Sequence, residues 1–272
     1  MGKGSYFAGR THRMFKQDLF FSKPLMNAAG TLGFAPDYRA PVPWEELGAF
    51  VTNPLSLRSR KPAADPAVIA YPGGFLLHTG LPNPGLPAAI KKFARRWGDS
   101  RLPVIVHLMA DRPEETRRMV RSLEGHDNIA AVELGFAPLL VEDMLLLSIE
   151  MALGELPLIA SLPVEQVLAL GERVIQVGAA AISLAPPRGM LMREDGRPIT
   201  GRLGGPALFP GSILTVRDAA RANLPVIGAG GVDSREKAEM MITAGALAVQ
   251  VDTSLWQSGF DLNPRALADT RE

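Results

Sequence analysis

The chain contains no cysteine. This excludes disulfides, thiolate zinc centres, iron–sulfur clusters held by this chain, and any cysteine nucleophile or base. An excess of charge of one sign is also missing: 29 Lys and Arg stand against 28 Asp and Glu, a formal net charge of +1. Neither nucleic acid nor an anionic membrane is therefore favoured as main partner, and a small-molecule substrate is expected. Histidine is sparse, with His12, His78, His107 and His126 not closely paired as metal ligands usually are, so no metal site is expected. Met1 to Arg13 lacks a continuous apolar run and carries Lys3, Arg10 and Arg13, which fits neither a signal peptide nor a membrane anchor. A cytoplasmic protein is the default expectation.

What is present is apolar and rhythmic. With 272 residues and 47% hydrophobic content, one domain over residues 1–272 is expected, in the size class of the (β/α)8 barrel. Eight short runs read as strands: Pro24 to Ala29, Ala49 to Leu55, Pro103 to Met109, Ala130 to Phe136, Pro157 to Ser161, Ala180 to Leu184, Pro225 to Ala229 and Ala248 to Asp252. Stretches of helical spacing separate most of them, and a strand–helix unit repeated in this way closes into a TIM barrel more naturally than it leaves an open sheet. Between Pro163 and Gly178, the residues Val167, Leu168, Leu170, Val174 and Ile175 form one apolar stripe. Asp111 ahead of Pro113 and Ser234 ahead of Arg235 are candidate helix caps, and Gly245 is a candidate stop.

Two stretches break the rhythm. Residues 61–87 hold six prolines and four glycines, too many for one helix, and read as a long excursion over the C-terminal mouth of the barrel. Within Pro186 to Phe209, the segment from Met190 to Thr200 reads as a hairpin turning at Asp195-Gly196. Near the C-terminus, Leu224-Pro-Val-Ile-Gly-Ala-Gly-Gly-Val232 and Ala248-Val-Gln-Val-Asp-Thr-Ser254 are apolar strands ending in small or hydroxylated residues. That pattern describes the phosphate grip of a barrel, where backbone N–H groups converge on an anion.

Several segments, in order, carry a more specific signal. They are Lys23-Pro-Leu-Met-Asn-Ala-Ala-Gly-Thr31, Gly48-Ala-Phe-Val-Thr52, Gly80-Leu-Pro-Asn-Pro-Gly85, Val132-Glu-Leu134, Gly201-Arg-Leu-Gly-Gly-Pro206, Pro225-Val-Ile-Gly-Ala-Gly-Gly-Val232 and Ala244-Gly-Ala-Leu-Ala-Val-Gln-Val251. Together the chain resembles the dihydroorotate dehydrogenase family, FMN-dependent barrels that oxidise dihydroorotate to orotate. The resemblance implies that Ala28, Ala29 and Gly30 approach the flavin ring, that Gly204 and Gly205 pack backbone against the cofactor, and that Gly230, Gly231 and Thr253 hold its phosphate. Asn53 and Asp252 fall at cofactor-facing positions, although the family has glycine at 252 and a carboxylate there repels a phosphate unless it turns away or meets a cation. Thr79 and Asn83 fall at substrate-facing ones, and His78 either covers the flavin or substrate or is an exposed loop histidine. The alternative for the glycines is that they merely permit tight turns.

The departures from the family are systematic. The lysine expected after the second strand's threonine is Asn53, and the asparagine before the Gly-Leu-Pro-Asn segment is Leu77. The fourth strand's asparagine and its Cys or Ser base give way to Gly135-Phe-Ala-Pro138. The fifth strand's lysine aligns with Ser161, and the sixth strand's asparagine with Ala185 or Pro186. Dihydroorotate is therefore not the expected substrate.

Replacement groups are available. His107 and Glu133 fall on the interior phase of their strands and offer a His–carboxylate acid–base pair, or a buried pair that only satisfies itself. Arg188, Arg193 and Arg202 are candidates for an anionic substrate, or for a solvated hairpin face. Three functions stay open: an FMN oxidoreductase with another substrate, an inactive relative that binds a ligand or partner, and a non-redox phosphate-binding barrel enzyme. A second copy of the chain, in a homodimer, is an open alternative to the monomer.

Overall fold

The computed structural model describes residues 19–138, 140–252 and 255. Its elements in chain order are β1 (Leu25–Asn27), β2 (Phe50–Val51), β3 (Ala67–Tyr71), β4 (Gly74–His78), α1 (Leu86–Gly98), β5 (Val104–Ala110), α2 (Pro113–Arg121), β6 (Ile129–Phe136) and α3 (Glu142–Ala152). There follow β7 (Leu158–Leu162), α4 (Val164–Val177), β8 (Ala181–Leu184), β9 (Arg188–Met192), β10 (Pro198–Gly204), α5 (Phe209–Arg221), β11 (Val226–Ala229), α6 (Arg235–Thr243) and β12 (Ala248–Val251). All eight expected strands form. They pair in parallel in the order β1-β12-β11-β8-β7-β6-β5-β2, and a bridge between Met26 and Ala49 joins the two ends into a (β/α)8 barrel.

The seam between β1 and β2 has few ladder bonds, and a side chain supplies more. The Asn27 amide donates to the Val51 carbonyl at 2.7 Å and its oxygen accepts from the Val51 N–H at 2.9 Å. An apolar side chain at position 27 would leave this buried stretch of backbone unpaired.

Inside the barrel, large and small side chains alternate from strand to strand. Met26, Ile105, Ile159 and Ile227 interleave with Ala49, Ala131, Ala181 and Ala248, all 0% exposed. This is the layered filling a tilted barrel requires. Two residues further along the even-numbered strands of the barrel, alternation places Val51, Glu133, Ser183 and Gln250 inside. Three of these four are polar, so the interior turns from hydrocarbon to hydrogen bonds as it approaches the mouth.

The excursions are better ordered than a loop reading implies. Residues 67–78 form a β-hairpin turning at Pro72-Gly73, residues 188–204 form the expected hairpin at Asp195-Gly196, and β4 pairs with β10. The result is a four-stranded antiparallel sheet, β3-β4-β10-β9, whose halves come from loops more than a hundred residues apart in sequence.

Two local expectations are corrected. Asp111 does not cap α2, whose N-cap is Arg112 with no side-chain bond. Leu168 is 53% exposed, so it lies off the buried stripe of Val167, Leu170 and Val174 on α4. Ser234 does cap α6, accepting from the Lys237 N–H, and Gly245 ends that helix at φ +110°.

Candidate active site

A cavity of about 770 Å³ opens at the C-terminal ends of the barrel strands, bounded on one side by the antiparallel sheet. That volume suits a cofactor with a small substrate. On its floor stands Glu133, 1% exposed. One carboxylate oxygen accepts from Ser183 Oγ at 2.6 Å and from Gln250 Nε2 at 2.7 Å, and the other meets His107 Nδ1 at 2.6 Å. Burial alone pushes the Glu133 carboxyl up, but the hydrogen bond and charge of His107, aided by Ser183 and Gln250, together hold it below its ordinary value. With an ionised acceptor at Nδ1, the proton of a neutral imidazole belongs on that nitrogen, leaving Nε2 as the free lone pair.

Nε2 packs against Gly135, and both residues line the cavity. A Cβ on residue 135 would lie 2.4 Å from Nε2, so glycine at this position is what lets the imidazole occupy its place. Strand alternation therefore placed His107 and Glu133 correctly in the interior. It did not reveal Ser183 and Gln250 as the other partners, although each is a polar residue inside an otherwise apolar strand.

The cofactor candidates separate. Ala28 and Ala29 line the cavity. Gly30 has φ +93°, and the Arg202 guanidinium lies 3.6 Å from where its Cβ would be. Asn53 does not line the cavity: its oxygen accepts from the Gly33 N–H at 3.1 Å and its own N–H donates to the Gly33 carbonyl at 2.8 Å, fixing the loop after β1. Gly204 and Gly205 face the β3–β4 hairpin instead of the cavity: a Cβ at 204 would meet the Phe75 ring at 2.4 Å and one at 205 would meet the Gly74 Cα at 2.5 Å. Asp252 lines the cavity, and Thr253 lies outside the described residues.

The substrate candidates are occupied by the fold. His78 Nδ1 bonds the Thr200 carbonyl at 2.8 Å, and Thr79 Oγ1 accepts from the Leu81 N–H at 3.2 Å. The Asn83 amide donates to Ser56 Oγ at 2.9 Å and the Leu81 carbonyl at 3.1 Å, while its oxygen accepts from the N–H groups of Gly85 and Ser56. None of the three lines the cavity.

The dihydroorotate dehydrogenase family model matches residues 15–136 and 190–269. A protein of Pelobacter propionicus named dihydroorotate dehydrogenase B (NAD(+)), catalytic subunit, is 32% identical over 252 residues, covering 85% of this chain and 83% of the relative. One of the same name from Trichlorobacter lovleyi is 31% identical over 270 residues, covering 92% and 87%.

The chain belongs to the dihydroorotate dehydrogenase family. The cofactor of the dihydroorotate dehydrogenase family is FMN. The residues present fit its phosphate end: Gly230 and Gly231 stand at φ +94° and +73° after β11, and among the described residues the Gly231 N–H meets no acceptor. Gly231 is buried, and a buried N–H without a partner is rare unless an anion completes it. The dihydroorotate dehydrogenase family match stops at the end of β6 and resumes within β9. Between those points lie Ala137, Leu140, Ser161, Gln166, Ala185 and Arg188, all on the cavity wall and outside the residues that the family model matches, whereas Gly230 and Gly231 lie within them.

Proposed function

We propose that this chain is an FMN-dependent oxidoreductase acting on a small molecule other than dihydroorotate, with His107 as the group that exchanges the substrate proton. The observation that carries this reading is the 2.6 Å His107–Glu133 pair, which lines the cavity with its other ring nitrogen against Gly135. It lies beside the segment where the family's own base is absent. Bound FMN supplies a two-electron acceptor for hydride. His107 Nε2 takes the proton left on the substrate, and the Glu133 carboxylate stabilises the imidazolium that forms and holds the ring in orientation. Ser183 and Gln250 keep that carboxylate fixed, so little reorganisation accompanies the proton transfer.

The substrate assignment draws on the missing polar groups. Leu77, Gly135, Ser161 and Ala185 stand where the family resemblance implies orotate- or flavin-binding side chains. A site lacking the hydrogen-bond partners of a polar ring loses several orders of magnitude of preference for it.

The test is anaerobic bleaching of the flavin absorbance. Dihydroorotate should leave the oxidised spectrum intact, while a screen of cyclic and acidic reductants should yield one that bleaches it. His107→Ala should slow that bleaching by about two to four orders of magnitude. Rapid bleaching by dihydroorotate, or an unchanged rate in the variant, would overturn the reading. Colourless protein that takes up no added FMN would overturn it as well.

A further inference from the structure

Four arginines lie along β9, β10 and their turn, and the structure divides them into two pairs. Arg193 meets the Asp65 carboxylate at 3.0 Å and its carbonyl at 2.9 Å, and Arg197 meets Asp195 at 2.6 Å. Arg188 and Arg202 face one another across the β9–β10 ladder, and among the described residues neither has a carboxylate partner or a hydrogen-bond acceptor. These two, and not the paired two, line the cavity.

Like charges directly opposite on an antiparallel pair are destabilising, and the half-buried Arg202 guanidinium has only part of its donors within reach of water, whereas Arg188 is exposed. The arrangement makes sense if something anionic completes it. Burial, and then the charge of Arg188, push the Arg202 guanidinium below the ordinary arginine value, as expected for a cation held away from solvent beside another. Other carboxylates on the cavity wall do not serve: Glu133 is committed to His107, and among the described residues Asp111 and Glu165 form no ion pair with either arginine.

We propose that Arg202 and Arg188 together hold a dianionic group of the substrate, a dicarboxylate or a phosphomonoester, at the edge of the cavity beside Gly30. A single carboxylate neutralises one guanidinium, whereas two facing guanidinia match a charge of two, with Arg202 giving the bidentate contact. The occupant's role as substrate rests on the oxidoreductase reading. The anion site itself does not.

The experiment is calorimetric titration of the purified full-length protein with succinate, inorganic phosphate and acetate, with flavin content measured on the same sample. Succinate or phosphate should bind at least about tenfold tighter than acetate, and whichever binds better names the source of the dianion. Arg202→Ala should weaken that ligand by about ten- to a hundredfold, with Arg202→Lys intermediate. Acetate binding as tightly as the dianions, or Arg202→Ala keeping wild-type affinity, would overturn the proposal. Should Arg202→Ala fail to fold, Arg188→Ala and rising salt on the wild-type protein decide: both must weaken the dianion, and indifference to both refutes the site. Dianion preference without flavin would sink only the oxidoreductase reading, and flavin without dianion preference would sink only this one.

Discussion

The imidazole of His107 occupies the space that a side chain on Gly135 would need, since a Cβ there would be 2.4 Å from Nε2 and 2.9 Å from Cε1. The two residues are neighbours on adjacent strands and work as one unit. Gly135→Ala should therefore tilt the ring off Glu133 and cost about 1–3 kcal/mol, as overpacking of a filled interior does. Denaturant unfolding reads the stability, and the His107-dependent rate of flavin bleaching should fall in parallel. A variant with wild-type stability and rate would show that the ring has room to move.

Glu133 makes stability depend on pH in a definite direction. Its folded value is held below the reference of 4.5, so its contribution is fully present above that value and is lost as pH falls through the folded value. Glu133→Gln removes the titration and leaves one donor in the network facing another, a loss of about 1–3 kcal/mol at neutral pH. Melting temperatures of both proteins from pH 7 downward should converge once the pH drops below 4.5. A constant gap would contradict the ionised, hydrogen-bonded state of this carboxyl.

The seam of the barrel offers a structural test remote from chemistry. Asn27→Ala deletes two buried bonds to the backbone of Val51 and should destabilise the protein by about 1–3 kcal/mol. Amide exchange should locate the loss at β1 and β2, with β6 and β7 protected as before.

The phosphate end is tested by Gly230→Glu, which adds a side chain and a negative charge at a position with φ +94°. FMN released on denaturation should fall to near zero while far-UV circular dichroism is retained. Gly231→Ala is a less discriminating variant, because a Cβ there meets the backbone nitrogen of Phe209 at 2.4 Å and threatens the fold itself.

Much of this architecture was legible in the sequence because each barrel strand is a short Val, Ile and Leu run with a fixed inward phase. That phase put His107 and Glu133 on the inside. Ser183 and Gln250 escaped notice because they lie 50 and 117 residues from Glu133, and only barrel closure brings them to its carboxylate. The β3–β4 hairpin was hidden by Pro72 and the glycines beside it, which read as loop, while its stabilising partner β10 lies far along the chain. Asn83 carried a polar side chain in a conspicuous motif, but its hydrogen bonds tie the loop to Ser56 and to Gly85. Local pattern reports an amide's presence and says nothing of which neighbours consume it.

The union of two distant loops into one antiparallel sheet has a consequence for engineering. Phe75 fills the space above Gly204, and Leu76 and Leu77 are matched residue for residue with Leu203 and Arg202, so neither loop is an independent module. Transplanting either one alone onto a related barrel would shift the register and turn Arg202 away from the mouth. The pair has to be exchanged or redesigned together, like the two halves of a hinge.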